Sequence, residues 1–481
     1  MRIARAINRR LGTRCASSFV VDNPYTGEVH GEWGLSSTAA ARELVARSAA
    51  AQRAWYGETS LGERVAVCER LIEVFTAAES DVAADISGSM GKPVAHAKGE
   101  INGMFERIEA MMALAPEALA PDVLAEKPGF ERQIVKEPVG VVFVIAPWNY
   151  PLLTAVNAIV PAILAGNSVV LKHSPRTPGV ADAFERAFAA AGAPAGLVSA
   201  LHCDHDVTNA VCADERVGFV SFTGSVDGGH AVAQAVARTR FINTTLELGG
   251  KDPMYIAADA NMAHAVESAV EGATWNAGQS CCAVERAYVH RDIYDEFVER
   301  AAAQFAASLA IGDPALATTS LGPMAQSPAP AFLVSQVAEA VAKGARIVSG
   351  SGTAISDPLS GTGRFFSPTL VADCTNEMAI MQEESFGPLL GVMAVDGDDE
   401  ALKCMNDSAF GLTASIFTED GERAARMAPA LECGTVFQNR CDYLDPELAW
   451  GGVKNSGTGV SLSKHGFHGV TKLKNFHFRT L

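Results

Sequence analysis

Val139-Gly140-Val141-Val142-Phe143-Val144-Ile145-Ala146 is a short run of apolar, mostly β-branched residues. A run of this kind is expected of a strand buried on both faces, as in a parallel sheet. The chain then repeats the theme. Leu152 to Ala165 reads as an apolar helix ended by Gly166, Ser168 to Leu171 as a second strand, and Ala181 to Ala191 as a helix. Leu197 to Leu201 reads as a third strand and Val217 to Phe222 as a fourth, with Val232 to Arg238 helical and Thr244 to Leu248 strand-like. Strand–helix alternation predicts a doubly wound parallel sheet. A second series follows: Met254 to Ile256, an apolar helix from Ala263 to Trp275, Arg286 to His290, a helix to Leu309, then strands near Val348 and at Leu389 to Val395, Ala414 to Thr418 and Thr435 to Gln438. Candidate domain joints lie near Gly249-Gly250 and between Gly434 and Gly452.

Upstream, Asp22 to Glu28 is turn-rich, Ser37 to Thr76 is helical in period, Ser80 to Ala113 is helical but broken at Gly91-Lys92-Pro93, and Arg132 to Pro138 reads as strand. Residues 1–21 carry Arg2, Arg5, Arg9, Arg10 and Arg14 and no acid. That profile fits either an organelle-targeting presequence or a basic tail. The expected location is accordingly cytoplasmic, or the mitochondrial matrix if the segment is a presequence.

The length of 481 residues suggests about three domains. A hydrophobic content of 48% against 19% charged residues is that of a globular protein. A net charge of −17 makes a nucleic-acid backbone an unsuitable partner. The ten Cys residues are scattered without a CxxC pair, which argues against a zinc ribbon and a secreted disulfide scaffold. No apolar run reaches the ~18 residues of a membrane span.

Chemistry is expected at the strand ends. Asn276-Ala277-Gly278-Gln279-Ser280-Cys281-Cys282-Ala283 joins a helix-like run to a strand-like one. A thiol there suits a nucleophile, and equally a buried, inert cysteine. Asn149, in Pro147-Trp148-Asn149-Tyr150-Pro151, ends the first strand and is either an oxyanion donor or a turn former. Lys172-His173-Ser174-Pro175-Arg176 ends the next strand and suits a phosphate or a solvated loop. Phe222 to Gly229 opens a helix with glycines that let a phosphate approach, though it is not the six-residue dinucleotide fingerprint. Glu247, between Leu246 and Leu248, is a general base or a salt-bridged structural residue. His202-Cys203-Asp204-His205 makes a poor metal site, because adjacent ligands lack a distant partner. No metal is expected.

In this order the motifs resemble the aldehyde dehydrogenase superfamily, from Asn23-Pro24 to the C-terminus. The resemblance rests on residues 147–151, 222–229, Leu246 to Pro253, Gly278 to Cys281, Glu383 to Pro388 and Gly451 to Gly457. It is closest in pattern to short succinate-semialdehyde dehydrogenases. The fold implied is α/β: a Rossmann-like cofactor domain (22–119 and 138–248), an α/β catalytic domain (249–450) and a small β oligomerisation element (120–137 and 465–481), behind the basic segment 1–21. A homodimer or homotetramer is implied, acting on a small-molecule aldehyde with NAD or NADP and no membrane partner.

Residue by residue, the resemblance makes Cys281 the nucleophile, Asn149 and the Cys281 N–H the oxyanion hole, and Glu247 the base. Lys172 would contact the adenosine ribose, and Gly224, Ser225 and Gly229 would lie along the pyrophosphate. Glu384 and Phe386 would hold the nicotinamide end, and Trp148, Ser174 and Leu248 would complete the cofactor contacts. Three rival readings remain: a coenzyme A-acylating relative, against which Glu247 speaks, a cysteine hydrolase without redox chemistry, and a non-catalytic protein of this fold.

Two departures matter. Pro175 stands where many relatives carry a Glu that disfavours a 2′-phosphate, with Lys172, His173 and Arg176 as neighbouring cations. Gly459-Val460-Ser461 stands where the family has Gly-Arg-Glu. The two positions that would grip a substrate carboxylate hold Asn157 and Trp275, and the loop 442–447 adds three acids. A substrate without a carboxylate anchor is therefore expected.

Overall fold

The computed structural model describes residues 17–307, 309–355 and 361–480. The expected presequence or tail falls mostly on residues 1–16, outside the described residues. Its last residues belong to the strand Ser18–Asp22, antiparallel to Val29–Gly34.

Three helices follow: α1 (Thr38–Glu58), α2 (Leu61–Met90) and α3 (Val94–Leu119). The periodic stretch Ser37 to Thr76 is thus two helices, not one. Ser60 breaks it with a capping box: its hydroxyl accepts from the Glu63 N–H at 3.3 Å, and the Glu63 carboxylate accepts from the Ser60 N–H at 2.7 Å. Two otherwise orphaned helix-end donors are satisfied, which favours a restart there. Gly91, at φ 82°, ends α2 in the left-handed region, and Pro93 precedes the next turn.

The first large sheet runs in the order Val198–Ala200, Ser168–His173, Val141–Ala146, Val217–Thr223, Thr244–Glu247, all parallel, with Gly457–Thr458 antiparallel at its edge. All six residues of Val141–Ala146 are buried, as a strand covered on both faces requires. One cover is α4 (Pro151–Leu164) with α2 and α3 behind it. The strand order reverses between Val141–Ala146 and Val217–Thr223. Ligands in open α/β sheets bind in the crevice at such a reversal, outside the carboxyl ends.

The second sheet has seven strands, ordered Arg346–Ser349, Thr369–Ala372, Leu389–Val395, Val284–His290, Asp252–Ile256, Thr413–Phe417, Thr435–Gln438; only the first is antiparallel. Thr369–Ala372 was not among the expected strands. It is four residues long and wholly buried, too short to show a period. A third sheet pairs Thr471–Arg479 with Phe130–Pro138 over nine residues, with Asp122–Val123 on the other side. Val123, Leu473 and Phe478 of this sheet are exposed. Among the described residues no helix is long and apolar enough to cross a membrane.

Candidate active site

The loop before Cys281 is bent into an unusual shape. Asn276, Ala277 and Gly278 all have φ between 53° and 68°, two of them without the freedom of glycine. Non-glycine residues in this region cost about 1 kcal/mol or more each, and persist only where surroundings impose them. Asn276 supplies part of that imposition. Its Nδ2 donates to the Asn149 carbonyl at 3.1 Å and to the Gln279 carbonyl at 3.2 Å. Gln279 returns a bond to the Asn276 carbonyl and accepts one from the Ala325 N–H. The same side chain therefore ties the loop of Cys281 to the strand end carrying Asn149. Asn149 is 5% exposed, and its side-chain amide bonds to none of the described residues.

Gly250 matters for the same loop. A Cβ there would stand 2.1 Å from the Cys281 carbonyl oxygen, so only glycine admits this approach.

The two adjacent thiols differ. Cys281 is partly exposed, and Cys282 is buried. Cys282 donates its S–H to Asp442 at 3.0 Å, and Ser280 donates to the same oxygen at 3.0 Å. The neighbouring Cys281, burial and the Asp442 charge push the Cys282 thiol well above its usual range. Burial lifts Asp442 itself to about 6, against the pull of those two donors.

Glu247 ends the strand Thr244–Glu247 and is 8% exposed. Its carboxylate accepts from the Ser461 hydroxyl. Burial raises its pKa, while hydrogen bonds from Ser461 and Thr223 and the Arg107 charge pull it down. It lines an open cleft of about 330 Å³ with Asn157, Thr223, Thr245 and Ser461.

The expected cofactor positions gather along the crevice of the first sheet. Lys172 ends Ser168–His173, is 7% exposed, and has its pKa lowered by burial. Ser174 donates its N–H to the Ala146 carbonyl, which joins two strand ends. Gly224 and Gly228 pack so closely on Phe222 that a Cβ on either would approach its ring to 2.7 or 2.6 Å. Gly229 meets Leu248 in the same way. These glycines bring the N-terminus of the helix Val226–Ala237 close to the sheet, and Ser225 caps it by accepting from the Gly228 N–H at 3.2 Å. Phe386 stands edge-on to Trp148 with ring centroids 5.4 Å apart. Glu384 accepts from the Gly250 N–H at 2.9 Å, and burial with the charge of Glu285 raises it to about 8.

Two expected cations are not available. His173 is buried and pushed down to about 3 by burial and Lys172, so it is neutral. The Arg176 guanidinium binds the Ser89 carbonyl at 2.6 Å and Asp22. Both are spent on packing, which leaves Lys172 as the cation of that loop. The suggested metal-like cluster also disperses: His202 binds Asp182 at 2.8 Å, and Asp204 caps the helix His205–Cys212. Among the described residues no group of three or more His, Cys, Asp or Glu is placed to hold a metal.

The sequence reading missed several residues. Glu285 accepts from the Ser385 and Phe386 N–H groups at 2.7 and 2.8 Å and from Lys251 at 2.6 Å, so it shapes the loop that holds Glu384 and Phe386. Charged residues inside a buried strand were the available signal. Arg107 was missed too. It is 7% exposed and donates from Nη1 to the Asn157 Oδ1 at 2.9 Å. A positive charge therefore stands beside Asn157, although neither Asn157 nor Trp275 carries one. The acid argument weakens as well, because Asp442 is engaged beneath the thiol loop.

Residues 13–476 match the aldehyde dehydrogenase family. A 3,6-anhydro-alpha-L-galactose dehydrogenase of Streptomyces coelicolor is 36% identical over 464 residues, 95% of this chain and 92% of that protein. The NAD(P)+ succinate semialdehyde dehydrogenase Sad of Escherichia coli is 36% identical over 448 residues, 93% of this chain and 95% of that protein. The solved succinic semialdehyde dehydrogenase of Streptococcus pyogenes, in complex with NADP+, superposes with a TM-score of 0.90 at 31% identity, over 96% of this chain and all of that one. A match that spans both sheets, and reaches relatives over nearly their whole length, leaves one conclusion: the chain belongs to the aldehyde dehydrogenase family and is an oxidoreductase acting on aldehydes.

Proposed function

We propose that this protein oxidises an aldehyde to a carboxylic acid with NAD or NADP, through a thioester on Cys281 that Glu247 helps water to hydrolyse. The observation that carries the reading is the Asn276 tie, which puts a partly exposed thiol beside a strand end whose Asn149 amide is unengaged. The Cys281 thiolate adds to the aldehyde carbon. The Asn149 Nδ2 and the Cys281 N–H donate to the oxygen as it gains charge, usually a large catalytic contribution. A nicotinamide dinucleotide held along the crevice would supply the hydride acceptor that the collapse of the Cys281 thiohemiacetal to a thioester requires. Glu247 then takes a proton from water, which attacks the acyl carbon and frees the thiolate. Coenzyme A is not needed in this scheme. Acid formed one-for-one with reduced cofactor in its absence supports the reading, and strict dependence on coenzyme A would replace it.

The residues present suit the dinucleotide. Glycines at 224, 228 and 229 keep side chains out of the cradle at a helix N-terminus, where backbone N–H groups favour an anion. Lys172 and Ser174 stand at the adenosine side, Trp148 and Leu248 along the crevice, and Glu384 and Phe386 at the nicotinamide end. In this reading 22–119 and 138–248 bind cofactor and 249–450 carry the nucleophile.

Cofactor choice follows from one absent charge. An acid at the ribose repels a 2′-phosphate; Pro175 is exposed there instead, beside Lys172. NADP is expected to serve at least comparably to NAD, and Pro175→Glu to shift the ratio of kcat/KM values toward NAD by about tenfold. Inactivity of NADP at millimolar levels with the unmodified protein would defeat this.

The third sheet, from 120–137 and 465–481, is proposed to assemble a homodimer or homotetramer. Its exposed Val123 and Phe478 share one face and Leu473 lies on the other, by the pairing of Val123 with Gln133 and of Gln133 with Phe476, so both faces carry apolar side chains of the kind that marks contacts between chains. Leu473→Asp is expected to lower the mass measured by light scattering at micromolar concentration. An unchanged mass would place the interface elsewhere.

A further inference from the structure

Cys281 sits inside a tight turn. The Ala283 N–H closes it on the Ser280 carbonyl at 3.3 Å, with Cys281 and Cys282 between. The side chains on either side of Cys281 are withdrawn: Ser280 is 2% exposed and Cys282 4%, while Cys281 is only partly buried. Those two side chains converge. The Ser280 Oγ and Cys282 Sγ lie 3.5 Å apart, and both donate to one oxygen, Oδ1 of Asp442, at 3.0 Å. A single carboxylate therefore grips the turn on both sides of the proposed nucleophile.

The carboxylate is itself held. Just before it, Asn439 fastens the chain to the second sheet: its Nδ2 donates to the Thr418 carbonyl at 2.9 Å, and its Oδ1 accepts from the Thr418 N–H at 3.0 Å. Cys441 donates its S–H to the Ser268 carbonyl at 3.3 Å, on the helix Met262–Thr274 that leads into the thiol loop. Asp442 has φ 44°, a left-handed conformation that Asp tolerates better than most residues. The cation whose charge it feels, Lys92, is paired with Glu100 instead. Burying a carboxylate without an ion pair costs stability. A purely structural acceptor would be better served here by an uncharged amide. A charged one makes shorter and stronger hydrogen bonds, which suits a turn that must not shift.

We propose that Asp442 is a positioning residue for the reaction: its carboxylate fixes the turn from Ser280 to Cys282, and through it aims the Cys281 thiol and N–H at the aldehyde carbonyl. Asn276 ties the front of the same loop to the strand end of Asn149, and Asp442 ties its back to the second sheet. The inference deepens the proposed function and rests on Cys281 being the nucleophile.

The test uses the better of NAD and NADP, and succinate semialdehyde or butanal, whichever the unmodified protein oxidises faster. With protein and cofactor in saturating excess over aldehyde, the first-order rate constant of cofactor reduction belongs to folded sites alone, so partial unfolding does not lower it. Misplacing a reacting group by ~1 Å costs about 10²-fold. Asp442→Leu, which removes the acceptor, is expected to lower the rate constant on that scale, with the cofactor Kd within about threefold of its starting value. Asp442→Asn keeps an acceptor oxygen without the charge and should fall between. Ser280→Ala combined with Cys282→Ala removes the donors instead, and should lose as much as Asp442→Leu. Adding Asp442→Leu to that pair should cost no more than about threefold further, as for groups that act as one unit. The donor variants also serve if the leucine variant does not fold. An unchanged rate constant in Asp442→Leu, equal loss in the leucine and asparagine variants, or full additivity overturns the proposal and leaves Cys281 as the nucleophile. Turnover of neither aldehyde, or undiminished turnover by Cys281→Ala, defeats the nucleophile reading and takes this inference with it.

Discussion

Cys281→Ala is expected to lower aldehyde-dependent cofactor reduction by at least about 10⁴-fold, the scale on which loss of a covalent nucleophile is felt. Cys282→Ala, one residue away, is expected to cost less than about tenfold. The contrast comes from what each sulfur already does. Cys282 is buried, donates to Asp442, and is held as a thiol by its neighbour and by burial. A group in that state neither attacks nor reaches a substrate. Losing its S–H leaves Asp442 with the Ser280 donor still in place, a stability cost of about 1 kcal/mol. Initial rates on purified variants, with thermal melting to confirm folding, decide the matter. Comparable collapse of both variants would remove the assignment of Cys281.

Glu247→Gln is expected to separate the two halves of the reaction. Acyl formation needs the thiol and the oxyanion donors, and these are untouched. Deacylation loses its base, for which factors of about 10²–10⁴ are usual. Rapid mixing should then show a burst of reduced cofactor equal to the sites present, followed by a slow phase. The pH dependence has a definite sign. Burial raises the Glu247 pKa, so the competent carboxylate is lost at a higher pH than for an exposed glutamate. Where deacylation limits turnover, kcat should rise with pH through that raised value, and the rise should vanish in the Gln variant. Normal turnover without a burst would show that another group activates the water.

The reading from sequence reached the sheets because their strands are covered on both faces, which makes them continuous apolar runs such as Val141–Ala146. Asn149, Glu247 and Cys281, the proposed catalytic residues, stood out because they sit in motifs next to strand ends. The reading failed where a local break interrupts a continuous apolar period, and where one residue's partner is remote. The break at Ser60 was legible as Ser60-Leu61-Gly62-Glu63, yet the apolar period runs straight across it. Arg107 sits seven residues after Glu100 on a stripe of buried apolar side chains, a charge at a core position, but its partner Asn157 lies 50 residues away. Nor could the sequence tell that Arg176 would turn from the cofactor loop to Asp22, because that contact spans 154 residues.

Asp22 has a further consequence, one of timing. Its carboxylate binds Arg176 and also Arg364, which are 154 and 342 residues further along the chain. The strand Ser18–Asp22 leaves the ribosome well before either partner, and Arg364 follows it by 342 residues. At about 5–20 residues per second, that wait is on the order of 20–70 s. During it the strand Ser18–Asp22 has its hairpin partner and, later, Arg176. An early segment is thus fastened late, and the clasp closes only on a chain whose second sheet is already under construction.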